Sequence, residues 1–245
     1  MKFKLFFLFA LLVLNAYSQE EEKVNEKIVF VSPNYELQFP LADMKVDFGI
    51  NSNLGIELSL ITPKNIYFSF NTSFIFGNNV NDSTILDHLM DENQNIIDEN
   101  GQIADVLFQE RGNNFNLKLG YLHPVFHEKS GVLGYGSLGY HQHKINIDVK
   151  NSSVPQLNEE NKKMYDQLTG GLSSSIFLGF LNISKNKGIH FFSGIEYTRA
   201  FTKNQRTYNH NTANADEMRN DSFFGIKFGW IVPISKRSTR EFYYF

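Results

Sequence analysis

The 245-residue chain has no cysteine, so it carries no disulfide framework, and no cysteine follows its N-terminal apolar segment to take a lipid anchor. It also lacks a basic excess. Its formal net charge is −3, which argues against a nucleic-acid partner. Long hydrophobic runs are scarce, and the one present, Leu5 to Leu14, is too short for a membrane helix. Lys2 and Lys4 precede it and Ala16-Tyr17-Ser18 follow, the layout of a secretory leader spanning residues 1–18 and cut before Gln19. Removing those two lysines takes the net charge to about −5. A further absence is chemical: no His-x-Ser pair occurs anywhere in the chain.

What the chain has in quantity is aromatic side chains, 15% of all residues, with 24 phenylalanines, although the mean hydropathy is only −0.30. They are arranged with a period of two. In the closing stretch, Phe224, Ile226, Phe228, Trp230, Val232 and Ile234 alternate with Gly225, Lys227 and Gly229. One strand face is large and apolar, the other small or charged. The same alternation runs through Lys45–Ile61, with Val46, Phe48, Ile50, Leu54, Ile56, Leu58 and Leu60 on the apolar face, and through Ile66–Phe76, where Phe68, Phe70, Phe74 and Phe76 align. Further strands are expected at Ile28–Leu37, Asn113–Leu122, Val132–Asp148, Thr169–Asn182 and Ile189–Thr202, making eight. Pro33 interrupts the first and belongs at a bulge or rim. Glycines 131, 134, 136 and 139 leave the faces of the fifth unassigned.

Connections alternate in length: short at 62–65, 123–131 and 184–188, long at 77–112, 149–168 and 203–220. An apolar outer face, a polar inner face and this rhythm predict an all-β fold, an eight-stranded antiparallel up-and-down transmembrane β-barrel over residues 28–234. Residues 19–27 form a periplasmic lead-in and 235–245 a basic-aromatic tail, with both termini in the periplasm. At this point the chain resembles the small outer-membrane β-barrel proteins, the class that includes the OmpA-type barrel, in the style of Bacteroidota members. Lys227-Phe-Gly229 matches the polar and glycine positions of that class's last-strand signal, while aliphatic residues stand where its aromatics are expected. The resemblance implies outer-membrane lipid as surroundings and the barrel-assembly machinery as a partner during insertion.

Eight strands enclose a space that side chains just fill, so a water-filled pore is not expected. Glu36, Glu57, Lys118, His190, Glu196 and Lys227 project inward and are expected to pair as a lumen polar network, since unpaired charge there is costly. His141 and His143 share a strand face but lack a third ligand, and His123 and His127 flank a turn, so no metal site is assigned. The acidic stretch 77–112, with Asp82, Asp87, Asp91, Glu92, Asp98, Glu99, Asp105 and Glu110 against Arg111, lacks EF-hand spacing. It reads as a solvated loop with a small hairpin at Asp98-Glu99-Asn100-Gly101. Ser173, Ser174 and Ser175 offer hydroxyls without a placed base. No cofactor is expected. Phe242, Tyr243, Tyr244 and Phe245 are candidate partner contacts. The expected role is that of a non-enzymatic structural or accessory component of an envelope assembly, such as a secretion or surface-display system. The alternative is a lipid-modifying barrel enzyme.

Overall fold

The computed structural model describes residues 27–82, 84–127, 129–184, 189–206 and 218–234. The leader, most of the lead-in, the turn at 185–188 and the tail with Phe242, Tyr243, Tyr244 and Phe245 lie outside the described residues. Among the described residues, eight long strands form one antiparallel ring: β1 (Ile28–Leu41), β2 (Asn51–Ile61), β3 (Ile66–Gly77), β4 (Asp105–His127), β5 (Ser130–Lys150), β6 (Thr169–Asn182), β7 (Phe191–Asn204) and β8 (Arg219–Trp230). Each pairs with its sequence neighbour, and β8 closes on β1 from Asn34↔Gly229 to Leu41↔Ser222. After a break at Ile231, β9 (Val232–Pro233) continues β8 against Val31 and Phe30.

That break accommodates Pro33. The register places Pro33 opposite Trp230, where the ladder skips and where a residue without an N–H has no bond to give. On its other side Pro33 pairs in continuous register with Ile56, so the strand is not interrupted there.

The alternation seen in the sequence is the alternation of the wall. Leu54, Ile56 and Leu58 of β2, Phe68, Phe70 and Phe74 of β3, Leu117 and Leu119 of β4, Leu172, Ile176 and Leu178 of β6 and Ile226, Phe228 and Trp230 of β8 all point outward and are exposed. Their neighbours Asn53, Glu57, Ser69, Asn71, Lys118, Ser173, Ser175 and Lys227 point inward and are buried. On β5 the inward set is Leu133, Tyr135, Ser137, His141, His143, Ile145 and Ile147.

The two rims differ. At the turn rim, β2 and β3 are joined by Thr62–Asn65, where Asn65 donates its N–H to the Thr62 carbonyl (3.0 Å) and takes a left-handed φ of 62°, tolerated by asparagine. There β4 and β5 run to within two residues of each other, a tighter connection than the expected 123–131, with a bulge between Pro124 and His127. Ile28 and Ile234 both lie at this rim, Ile234 donating to the Val29 carbonyl at 2.8 Å.

The loop rim departs further from expectation. Residues 45–47 belong to a short helix, α1 (Ala42–Asp47), rather than to the second strand. Phe48, expected on the outer face, is buried at 2% exposure, because the helix and the bend at Ile50 reset the alternation before Asn51. The acidic stretch is neither all loop nor all solvated. Residues 105–112 are strand, and Ile85, Leu86, Ile96 and Ala104 pack with Met44, Phe48, Ile145, Ile147, Val154, Leu157, Tyr165 and Phe223 into an apolar cap. The hairpin at its tip is present, with Ile97 bridging Ile103 and Gly101 at φ 75°. A second apolar layer closes the turn rim, drawing Phe30, Ile61, Tyr67, Leu122, Leu133, Phe177, Phe192 and Ile231 from seven strands, β1 to β7, and the β8–β9 break.

The acidic side chains of the loop cap turns separately. Asp91 accepts the N–H groups of Asn93 and Asn95, and Asp82 those of Thr84 and the Gln167 amide. Asp98 accepts the N–H groups of Gln102 and Asn100 at 2.8 Å each, which hold its carboxyl below the usual carboxylate range. A group depressed in this way contributes fully above its ordinary value and loses that contribution as pH falls through the lower folded value. Protection of the Gln102 and Asn100 amides, measured by hydrogen exchange against intrinsic rates, should stay level down to about pH 4 and then decline. Asp98→Ala should remove it at every pH and leave the strand amides unchanged.

Candidate functional site

The interior between the two apolar layers is polar, and its centre is a buried ionic cluster. Glu57 of β2 lies across from Lys118 of β4, with Lys118 Nζ donating to Glu57 Oε2 at 2.7 Å. Tyr67 also donates to Glu57, and Ser59 does so at 3.1 Å. Lys118 donates a second bond, at 3.2 Å, to the Tyr135 hydroxyl, which itself donates to Glu196 Oε2 at 3.1 Å. Ser175 bonds the other Glu196 oxygen, and Lys227 bonds Glu196 and stands 3.3 Å from Glu36 Oε2. Two lysines and three carboxylates thus form one chain through the lumen, all of them almost wholly buried.

The strands place these groups by register. Glu36 and Lys227 are directly paired across the β1–β8 seam, Glu36 pairs with Asn53 on its other side, and Glu196 faces Gly225, whose lack of a side chain leaves room for Glu36. Toward the turn rim the cluster rests on stacked rings, Tyr67 on Tyr135 at 5.7 Å and Tyr135 on Phe177 at 4.5 Å between centroids. Lys118 sits 4.7 Å over the Tyr135 ring, a cation–π contact.

Nearer the loop rim is a second polar cluster. His143 Nε2 lies 2.9 Å from Asp221 Oδ2 and 3.0 Å from the Thr169 hydroxyl, and Thr202 donates to the same carboxylate. Arg219 bridges Asp221 to Asp47 of α1, fastening the cap's helix to the barrel wall. Burial raises the Asp47 carboxyl even against Arg219. His141 Nδ1 meets Asn114 at 2.6 Å, and Glu110 receives both of its bonds from the Asn51 amide, at 2.9 and 3.1 Å. His141 and His143 face inward with ring centroids 5.3 Å apart, each engaged by these neighbours. Among the described residues, no group of three or more histidines and carboxylates is arranged to hold a metal ion.

Of the six residues assigned to the lumen, the structure brings together Glu36, Glu57, Lys118, Glu196 and Lys227. His190 is a correction. It precedes β7 at the turn rim, where its ring accepts the Ser184 N–H at 3.0 Å and its carbonyl accepts Ile231 N–H, so it is too far along the strand axis to join. Ser173 faces inward and Ser175 is committed to Glu196, whereas Ser174 is exposed on the outer wall. His123 is exposed near the turn rim. Sequence reading missed Tyr67 and Tyr135. Tyr67 shares its parity with Ser69 and Asn71, which marks it as inward, while Tyr135 is hidden between Gly134 and Gly136.

The sequence matches no protein-family model, and no curated protein matches it. Among solved structures the chain is similar to Ail, the attachment invasion locus protein of Yersinia pestis, in complex with the heparin analogue sucrose octasulfate: 10% identity, TM-score 0.43, 84% of this chain and 99% of that one. Ail alone gives 8% identity and a TM-score of 0.42 over the same shares, and the outer membrane protein OprG from Pseudomonas aeruginosa gives 11% and 0.36 over 84% and 95%. Likeness at this level carries no functional information.

Removing one member of a buried ion chain strands the others. Lys227→Met should destabilise the barrel by about 3–5 kcal/mol, because the buried Glu36 and Glu196 would lose the lysine between them. Adding Glu36→Gln and Glu196→Gln to that variant should restore most of the loss. Urea unfolding followed by tryptophan fluorescence measures both, and equal stability of the single and triple variants would count against the pairing.

Proposed function

We propose that this chain is a membrane-spanning outer-membrane barrel with a closed lumen, serving as a non-enzymatic structural or accessory component of an envelope assembly. The observation that carries the reading is the inversion of its faces. The outer wall bears exposed Phe68, Phe70, Leu117, Leu172, Ile176 and Trp230, while lysines and glutamates are inside. In water that arrangement exposes an apolar surface larger than a soluble monomer keeps; in a bilayer it matches the solvent on both sides of the wall. Ring closure also pairs the strand edges, as hydrocarbon requires. The leader-like N-terminus supports export, and the short turns then face the periplasm, with the folded cap outside.

The lumen supports a non-conducting role. An ionic layer of two lysines and three carboxylates lies between two apolar layers, leaving no continuous polar path from rim to rim among the described residues. The cap, by contrast, is built to be presented: α1, the 78–104 loop and the 151–168 loop share one core, so the loops hold a shape. The lipid-modifying alternative has one constellation to draw on, His143 with Asp221, Thr169 and Thr202. Those hydroxyls are buried in the lumen, with Phe48 edge-on to His143 at 5.2 Å, whereas lipid lies outside the wall.

Refolded protein should migrate differently on a denaturing gel before and after boiling, and it should give no unit conductance in planar bilayers. Identical migration would overturn the membrane reading; discrete conductance steps would overturn the closed lumen. Purification in mild detergent followed by mass spectrometry should recover envelope proteins with it. Recovery alone, accompanied by altered lipid A in cells that make it, would favour the enzyme.

A further inference from the structure

On the outer wall near the loop rim, three basic side chains line one cleft of about 300 Å³. Arg111 and Lys144 face each other directly across β4 and β5, and Arg206 stands just past the end of β7. Phe74, Asn113 and Gln142 also line it. Like charges directly opposite on a sheet are destabilising, so the pairing of Arg111 with Lys144 calls for an anion. The carboxylate present is Asp166, and it is already taken: Arg206 holds both its oxygens, leaving Lys144 Nζ at 4.0 Å. Arg111 donates to neutral acceptors, the Glu110 carbonyl at 2.8 Å and the Gln109 side chain at 2.6 Å. Arg206 and Lys144 therefore share one carboxylate while Arg111 meets only neutral acceptors, and the Lys144 side chain keeps 41% of its surface open.

Phe74 gives the cleft an apolar side. Phe74 stacks on Phe76 at 6.3 Å, and from Phe74 toward the turn rim the outward residues are Phe70 and Phe68 on β3, with Phe115 and Leu117 beside them on β4. The cations stand where this belt ends. We infer that Arg111, Lys144 and Arg206 bind the phosphate of a membrane lipid headgroup, with Phe74 against the apolar part of the same lipid. The inference rests on the membrane reading above. The cleft opens on the wall that the membrane reading covers with lipid, beside the outward Phe74, which is why the source assigned is lipid. Charge-assisted bonds from two or three cations to phosphate supply the affinity.

The test uses the full chain refolded in a neutral maltoside detergent, with native mass spectrometry reading retained phosphatidic acid, phosphatidylcholine or inorganic phosphate. The expected result is retention of phosphatidic acid about tenfold above phosphatidylcholine, falling to the phosphatidylcholine level in the Arg111→Gln/Lys144→Gln variant. Lys64→Gln, which removes a cation at the opposite rim, should leave it unchanged. Undiminished retention in the folded double variant, or equal retention of the two lipids, overturns the site. Inorganic phosphate bound as tightly as phosphatidic acid overturns the lipid assignment. Heat-dependent gel migration of each protein separates these outcomes from failure of the membrane reading: if the unchanged chain shows no shift, the barrel and the site fall together.

Discussion

An eight-stranded ring leaves an interior about one side chain deep on each wall, and the rest of this structure follows from filling it. At the centre of the ring the inward positions are either small, such as Gly225 or Ser137, or long and matched to a partner on another strand, as Lys118 is to Glu57. The matching is not optional. A lysine displaced from its carboxylate has no water to turn to, because Tyr67, Tyr135 and Phe177 close the space below and Phe48 and Phe223 above. Buried ion pairs add little net stability over an apolar filling, yet once present they tolerate no vacancy.

The same constraint divides the molecule along its axis. Apolar layers sit where the ring meets its turns and where it meets its loops, with charge confined between them. The loop-side layer is shared with segments that are not part of the wall, among them Ile85, Leu86, Val154 and Leu157. Arg219 reaches from β8 to Asp47 and ties the first connection to the last strand. The outer surface of the cap is thereby held in fixed relation to the wall, a property suited to presenting a contact face and unsuited to a gate that opens.

Much of the wall could be read from residue order because a strand's two faces separate by parity alone. Phe224, Ile226, Phe228 and Trp230 needed no knowledge of their neighbours to be placed outward. Parity fails where the backbone leaves the strand. Phe48 kept the alternating pattern while lying beyond α1, and Ile85, Leu86 and Ile96 gave no period because a cap core is assembled from scattered residues. Within the lumen, parity identified inward charge but not partners. Lys227 meets Glu196 and Glu36, 31 and 191 positions away in the chain, through register that no single strand encodes. His190 had the right parity and the wrong height. The outer cleft was invisible for the same reason: Arg111 and Lys144 come from separate strands, Arg206 from just past a third, and in order they look like ordinary surface charge.

The seam between β1 and β8 joins the ends of the barrel, whereas the longest ladder, β4 with β5, joins neighbours across a two-residue turn. Local hairpins can form first; closing a loop of nearly the whole chain comes last. At that seam Glu36 lies directly opposite Lys227. A slip of two residues would keep every face correct and still set Lys227 against Asn34 or Gln38, leaving Glu36 without its lysine while Lys227 keeps Glu196. The ion pair therefore favours one circumference: a ring closed one step too wide or too narrow buries the Glu36 carboxylate without its lysine.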